Sequence, residues 1–275
     1  MNIALHPIES RMMTVQEYLS EFGVAVFGER APHARCPLCH EVLLLIGANS
    51  MRIPPRFSHR TRTRARCPLV RYGELPDDIA VTVTAQPTLA RLQRAAYFAR
   101  WQWHYGLMRD AALAPSMNIT RFLALAELAT QRQLWSIPAL NLAYVPYILL
   151  AMAGYLPGER GYRRGGSSVR FWFDATVRDV ADLHRKHEHA PRLFRAHYAR
   201  PRMSRFPMQT HLFQLDEVRL DPGYLDRPMP LVSAADVQGM YDALARDGVT
   251  NYMRRRAGSI LSLALQPAVD AHVIA

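Results

Sequence analysis

CPLCHEVLLL, at residues 36–45, opens with two cysteines, and FSHRTRTRARCPLV, at residues 57–70, carries the third and last cysteine of the chain. An odd number of cysteines argues against a framework of disulfides. Three thiolates and one neutral imidazole are instead a ligand set that zinc prefers. The spacing therefore predicts a zinc site formed by Cys36, Cys39, His59 and Cys67. For the fourth ligand, His40 and His33 stay open as alternatives to His59.

The predicted zinc is structural. Four protein ligands fill a tetrahedral shell and leave no position for a catalytic water. A short module rich in loops depends on such a metal for its fold. We expect a zinc ribbon or treble-clef-like arrangement with little β-structure, in which LLLI at 43–46 forms a short strand.

This segment resembles the N-terminal zinc-binding region of competence CoiA-like proteins. The resemblance rests on the Cys-Pro-x-Cys motif, the leucine-rich stretch after it, Gly47, the Phe57-Ser58-His59 knuckle and Cys67, and it covers about residues 36–68. The family is linked to the processing of incoming DNA and carries a restriction-type nuclease domain further on. No spaced Asp and Glu-x-Lys or Glu-x-Gln set follows here, so only the zinc ligands are carried over.

The same region is strongly basic. No acidic residue lies between Glu41 and Glu74, whereas arginines recur throughout that interval. Guanidinium groups grip phosphates with two hydrogen bonds, which favours a nucleic-acid backbone as partner; a solvated charged loop is the alternative. Two further patches flank the glycines at 165–166 and the aromatic Tyr252. The predicted contacts are Arg52, Arg56, Arg60, Arg62, Arg64, Arg66, Arg163, Arg164, Arg254, Arg255 and Arg256. A fourth basic stretch, at 192–205, includes Arg195 and the aromatic residues Phe194 and Tyr198.

Composition supports a polyanionic partner. The chain has 275 residues and a formal net charge of +11. Lys186 is the only lysine, and such an arginine bias can reflect the base composition of a genome. The placement of the arginines therefore carries more weight than their number.

The break ELPDD at 74–78 divides the chain into a zinc-binding basic module at 1–75 and a larger, mostly helical domain at 76–275. The predicted fold class is mainly α. Helices are expected at 14–28, with Thr14 as cap and Gly23 as a stop signal, and at 88–113, 118–135, 137–158, 174–189, 233–248 and 249–266. A further strand is expected at 211–220. The apolar segment at 137–158 favours a buried helix over a membrane span, because it contains Asn141 and Pro146.

No nucleotide-binding, hydrolase or metalloprotease motif occurs in the sequence. We therefore expect a non-enzymatic protein that binds DNA or RNA through its phosphate backbone, as one subunit of a bacterial nucleoprotein complex. Handling of foreign DNA, or a large-subunit-like role in RNA-guided (CRISPR) antiviral defence, would fit. The alternatives are a metal-dependent nuclease or DNA-processing enzyme, and a protein–protein adaptor whose zinc module docks a partner. We expect no signal peptide, a cytoplasmic location, other protein subunits as partners and no membrane.

Overall fold

The computed structural model of the chain describes residues 1–27, 31–60, 66–70, 78–158, 166–185, 190–199, 207 and 211–246. Some predicted features lie outside these residues. They are Arg62, Arg64, Arg163, Arg164, Arg254, Arg255, Arg256 and the helix at 249–266.

The prediction of a mainly α fold is wrong. Helices account for 36% of the chain and strands for 20%, and the described residues form six α-helices and three sheets, one of them four-stranded. The chain divides into two compact units. The first comprises Met1–Thr82, Ala112–Ser116 and Tyr147–Leu220, and the second comprises Val83–Ala111, Met117–Pro146 and Asp221–Ala275. The cysteine segment thus shares its unit with the four-stranded sheet, and this unit extends past the predicted boundary at residue 75.

The first unit begins with two short antiparallel strands, β1 (Ile3–Leu5) and β2 (Met12–Thr14), followed by helix α1 (Val15–Phe27). A reciprocal capping box starts this helix. The Thr14 N–H donates to Glu17 Oε2 at 2.6 Å, and the Glu17 N–H donates to Thr14 Oγ1 at 3.2 Å. The predicted cap is confirmed, but the helix continues through Gly23 to Phe27.

A hairpin follows, in which β3 (Leu43–Ile46) pairs with β4 (Arg56–His59). The strand predicted at 43–46 is confirmed. Gly47 leaves β3 with a positive φ of 81°, and a Cβ atom at this position would lie 2.8 Å from the Ile53 carbonyl oxygen. Glycine is therefore required where the chain turns out of the strand.

The larger sheet is antiparallel, in the order β5 (Leu156–Pro157), β6 (Ser167–Phe173), β7 (Leu193–Ala199) and β8 (Leu212–Val218). β8 confirms the strand predicted at 211–220. For residues 174–185, the predicted helix is wrong, because Asp174 and Asp179 build turns here; residues 186–189 of that prediction lie outside the described residues. Asp174 Oδ1 accepts a bond from the Thr176 N–H at 3.1 Å, and Asp179 caps a single 3₁₀ turn at Val180–His184.

One core joins the cysteine segment to this sheet. Side chains alternate between the two faces of a strand, so that Trp172 of β6 and Phe194, Ala196 and Tyr198 of β7 share one face. These four side chains are buried in the same cluster as Cys36, Leu43, Phe57 and Cys67. The metal-ligand segment is therefore part of a larger hydrophobic core.

The second unit is helical. It contains α2 (Pro87–Phe98), α3 (Trp101–Met108), α4 (Ile119–Gln131) and α6 (Ala234–Arg246). The single helix predicted at 88–113 is two helices, separated at Ala99 and Arg100. The predicted starts of α4 and α6 are confirmed, because Asn118 accepts a bond from the Arg121 N–H and Ser233 accepts one from the Asp236 N–H.

The apolar segment at 137–158 contains the short buried helix α5 (Val145–Met152). Within the described part of the chain, no helix has the length and apolar character that a membrane span requires.

Candidate metal centre

Four side chains, those of Cys36, Cys39, His59 and Cys67, bring their ligand atoms within 4.8 Å of one another. The Cys36 and Cys67 sulfur atoms lie 3.7 Å apart, and Cys39 Sγ lies 3.3 Å from His59 Nε2. The structure thus brings together the four ligands that the spacing predicts, and they lie close enough to hold a metal ion.

The first two cysteines lie in a tight turn whose ends are tied together. Arg35 and Val42 form an antiparallel bridge, and the Leu43 N–H donates to the Ala34 carbonyl at 2.8 Å. Inside the turn, the His40 N–H donates to the Cys36 carbonyl at 3.0 Å. This folds the backbone so that both sulfur atoms point to the same side.

His59 is delivered by the hairpin. It pairs with Leu43, the first residue of β3, which places its ring beside the turn that carries Cys39. Because side chains alternate along a strand, Phe57 and His59 share the inward face of β4, while Arg56 lies on the other face and is exposed. Burial of Phe57 in the core therefore fixes the direction of the imidazole.

Cys67 opens a second turn. Its carbonyl accepts a bond from the Val70 N–H at 3.1 Å, and its sulfur accepts one from the Leu69 N–H at 3.4 Å. A backbone N–H that points at a ligand sulfur orients it and stabilises the thiolate form, as outer-shell hydrogen bonds do in metal sites.

The donor set and its distances fit zinc. Two sulfur atoms, each about 2.3 Å from one tetrahedral ion, lie about 3.8 Å apart, close to the separation of Cys36 and Cys67. A disulfide would require about 2.05 Å between these atoms. The same distances therefore exclude a Cys36–Cys67 disulfide and suit a shared ion.

The three thiols differ in acidity. Burial raises the pKa of Cys36 to about 12, and hydrogen bonding to Cys36 raises the pKa of Cys67. Hydrogen bonds from Cys36 and Cys67 lower the pKa of Cys39. Binding of a cation must therefore displace protons from the two buried thiols, which makes metal affinity increase with pH.

The two alternative histidines lie elsewhere. His40 Nε2 lies 3.5 Å from Asp174 Oδ2, and His33 is exposed; neither belongs to the group of four ligand atoms. The fourth member of the group is His59, as the sequence predicts.

The predicted phosphate contacts have different environments. Those in the cysteine module that the structure describes are all exposed: Arg52, Arg56, Arg60 and Arg66. The basic stretch at 192–205 is different, because its first half is strand β7. Arg195 is buried there, and Phe194 and Tyr198 are completely buried, so that these two rings are unavailable for base stacking.

A cavity of about 230 Å³ borders the metal centre, and its walls were not predicted from the sequence. They come from both cysteine turns, the segment around Ile79, helix α5 and strand β6 with the turn after it. Because these segments are far apart in the chain, no local motif could have indicated this site.

Neither a protein-family model, nor a curated protein, nor a solved structure matches this chain. Functional conclusions therefore rest on the geometry of the site itself.

Proposed function

We propose that the cysteine module binds one structural zinc ion through Cys36, Cys39, His59 and Cys67, and that it uses the exposed arginines of the module to bind a nucleic-acid backbone. The proposed role is non-enzymatic. The module would serve as a subunit of a larger bacterial nucleoprotein complex, in keeping with its resemblance to the CoiA-like zinc-binding region.

The donor chemistry supports a structural ion. Zinc favours thiolates and imidazole in tetrahedral sets, and a set of three cysteines and one histidine leaves no open position for a reacting water. When bound, the ion holds the two turns and the hairpin together; it supplies rigidity, and the side chains around it supply recognition.

One observation carries the nucleic-acid proposal: three of the four exposed arginines lie directly beside a metal ligand or on the strand that carries one. Arg60 follows His59 directly and Arg66 precedes Cys67, while Arg56 lies on the outward face of the strand that ends at His59. In the sequence, no acidic residue occurs between Glu41 and Glu74. A rigid surface of one sign attracts polyanions and holds guanidinium groups where phosphates can be gripped.

Salt-dependent binding tests this proposal. The zinc-loaded full chain is titrated with random-sequence duplex DNA and with single-stranded RNA at several salt concentrations. The variant R56E/R60E is compared with R91E/R219E, a matched control that reverses two exposed arginines outside the module. For duplex DNA, the slope of log K against log salt should decrease by roughly 0.9 for each lost contact in the first variant only.

Equal affinities of the two variants would contradict the proposed interface. Cleavage of either probe after addition of magnesium or manganese would instead identify a nuclease. Salt-insensitive or undetectable binding by the zinc-loaded protein would favour the adaptor alternative.

A further inference from the structure

The loop that joins β3 to β4 carries an exposed apolar apex, formed by Met51 and Ile53. Met51 is 105% exposed, so no other part of the described chain covers its side chain, and Ile53 is 49% exposed. Ile46 and Arg56 form the last strand pair before the loop, which therefore spans residues 47–55. Single exposed apolar residues are ordinary on protein surfaces. Two at one loop apex, separated by an arginine alone, indicate a contact surface.

Hydrogen bonds within the loop brace this apex. The Ser50 N–H donates to the Gly47 carbonyl at 3.1 Å. Ser50 Oγ accepts bonds from the N–H groups of Arg52, at 3.2 Å, and Ile53, at 3.0 Å. The two prolines at 54–55 restrict the backbone that returns to β4. A side chain on a loop that is already ordered loses little conformational freedom when it enters a partner.

The apex lies among arginines. Arg52 separates Met51 from Ile53, and Arg56 is the first residue of β4; both arginines are exposed. Among the described residues, neither guanidinium is paired with an acidic side chain. The matching partner must therefore offer negative groups and apolar surface side by side. Duplex DNA does so at every base step, with phosphates along the rim of the groove and flat base faces within the stack.

The width and chemistry of the apex favour the minor groove. This groove of B-DNA is roughly 6 Å wide, which admits the tip of a loop, whereas a complete two-stranded ribbon suits the major groove. Met and Ile carry no strong hydrogen-bonding group with which to read base edges, but they are among the side chains that insert between base pairs from the minor-groove side. The negative potential of a narrow minor groove also attracts arginine, which suits Arg52 beside the apex.

We propose that the β3–β4 hairpin inserts its apolar apex into the minor groove of duplex DNA, opens one base step and bends the duplex there. Met51 enters the stack, where its flexible thioether adapts to the faces of the bases. Arg52 and Arg56 bind the phosphates beside the opened step. The inference rests on the proposed nucleic-acid function, because it names duplex DNA as the ligand and a base step as the point of contact.

Binding of the zinc-loaded full chain to two duplexes tests this insertion. One duplex is fully paired, and the other has the same length and a single central mismatch that weakens stacking at one step. The wild type should bind the mismatched duplex about tenfold more tightly, because part of the cost of opening a step is already met. M51A/I53A should bind the two duplexes equally. L92A/L231A, which truncates two exposed apolar side chains of the second unit, should keep the wild-type preference.

Energy transfer between dyes at the two ends of the fully paired duplex measures the bend. The wild type and L92A/L231A should bend the duplex by roughly 20–90°, and M51A/I53A should leave it straight. Both double variants should fold, because the replaced side chains are exposed, and circular dichroism with zinc analysis checks this. Bending and mismatch preference that persist in M51A/I53A would overturn the insertion.

Salt dependence separates this inference from the proposed function. M51A/I53A keeps every arginine, so its slope of log K against log salt should equal that of the wild type. Salt-sensitive binding of the wild type without bending or mismatch preference would overturn the insertion and leave the proposed function intact. Binding to single-stranded RNA alone would have the same meaning. Absence of binding to every polynucleotide would overturn both and favour the adaptor alternative, with the apex docking a protein.

Discussion

His40 is the neighbour of a metal ligand but is not a ligand itself. It directly follows Cys39 and has a φ of 59°, in the left-handed region that costs an L residue about 1–2 kcal/mol. Its N–H closes the turn on the Cys36 carbonyl, whereas its side chain lies toward Asp174. The backbone of His40 therefore shapes the metal turn, and its imidazole is not part of the ligand set.

Replacement of His40 and of His59 distinguishes a residue that shapes the metal turn from a residue that binds the metal. In H40G, we expect one zinc per chain and a free energy of unfolding within about 1 kcal/mol of the wild type, because relief of left-handed strain and the greater freedom of glycine in the unfolded chain oppose each other. In H59A, we expect zinc affinity to fall by at least roughly a hundredfold, since loss of a direct ligand should exceed the effect of losing an outer-shell partner. Elemental analysis after gel filtration measures the zinc content of the two variants, and competition with a chelator measures their zinc affinity. Loss of zinc in H40G with retention in H59A would reverse the assignment.

His104 is a buried histidine whose titration affects the second unit. Its ring stacks on Tyr97 at 4.0 Å, and its Nδ1 lies 2.5 Å from the Tyr224 hydroxyl. Burial, with the nearby charge of Arg100, lowers the pKa of His104 from 6.5 to about 3. In the folded unit, the His104 imidazole therefore stays neutral below pH 6.5, where the same imidazole in the unfolded chain binds a proton.

Stability should therefore depend on pH in a defined direction. The contribution of His104 is fully present above pH 6.5, and it decreases as the pH falls from 6.5 toward 3, by up to about 1.4 kcal/mol per pH unit. Denaturant unfolding of the wild type and of the double variant H104F/Y224F measures this, because the variant keeps a ring against Tyr97 and removes the titrating group. The wild type should lose stability more steeply below pH 6.5. Parallel curves for the two proteins would show that His104 does not exclude a proton.

Among the elements, strand β7 lies in the basic stretch at 192–205, for which no strand was predicted from the sequence. LFRAHYA contains a period of two, with Phe194, Ala196 and Tyr198 on the core face and Arg195 and His197 on the other. His197 Nε2 lies 2.8 Å from Asp216 Oδ2 on β8, so a polar residue in this strand has a partner across the sheet. The alternation of apolar and polar residues is typical of a strand, whereas the arginines by themselves indicate only positive charge.

Local chemistry explains which features could be predicted. The caps at Thr14, Asn118 and Ser233 and the strands at 43–46 and 212–218 depend on residues close in sequence. The metal ligands are recognised by their residue types and their spacing within residues 36–67. The sheet and the cavity depend on distant segments, as where the Ala80 N–H bonds to the Arg178 carbonyl at 2.9 Å. Such pairings are set by burial of the whole core, which no short window of sequence contains.

Truncation of Phe194 tests the structural role of β7. Its ring is completely buried in the cluster that contains Cys36 and Cys67. We expect F194A to lower the free energy of unfolding of the first unit by about 3–5 kcal/mol, through lost apolar contact and the cavity left behind. L92A, at a side chain in the second unit that is 65% exposed, should change stability by less than about 0.5 kcal/mol.

The measurement is denaturant unfolding followed by circular dichroism, together with polynucleotide binding below the transition. If Phe194 instead stacked on bases, F194A would lose affinity while its unfolding curve matched that of the wild type. That result would contradict the burial of β7.

At the scale of the whole molecule, the metal ligands belong to the core that supports the larger sheet. Cys36 and Cys67 have no exposed surface, and they pack in one cluster with Trp172, Phe194 and Tyr198. The binding free energy of a structural ion is folding free energy for whatever its ligands hold together. The ion should therefore stabilise β6 and β7 in addition to the module itself.

Metal removal followed by hydrogen exchange tests this coupling. Treatment with a strong chelator should accelerate amide exchange in β3 and β4, and also in β6 and β7, because all four strands contribute side chains to the cluster that holds Cys36 and Cys67. Helix α4, in the second compact unit, serves as the internal reference and should keep most of its protection. Restored protection after addition of one equivalent of zinc would show that the change is reversible. If faster exchange stopped at residue 70 and the amides of Ser167–Phe173 and Leu193–Ala199 were unaffected, the ion would stabilise only its own loops, and the shared core would fold without it.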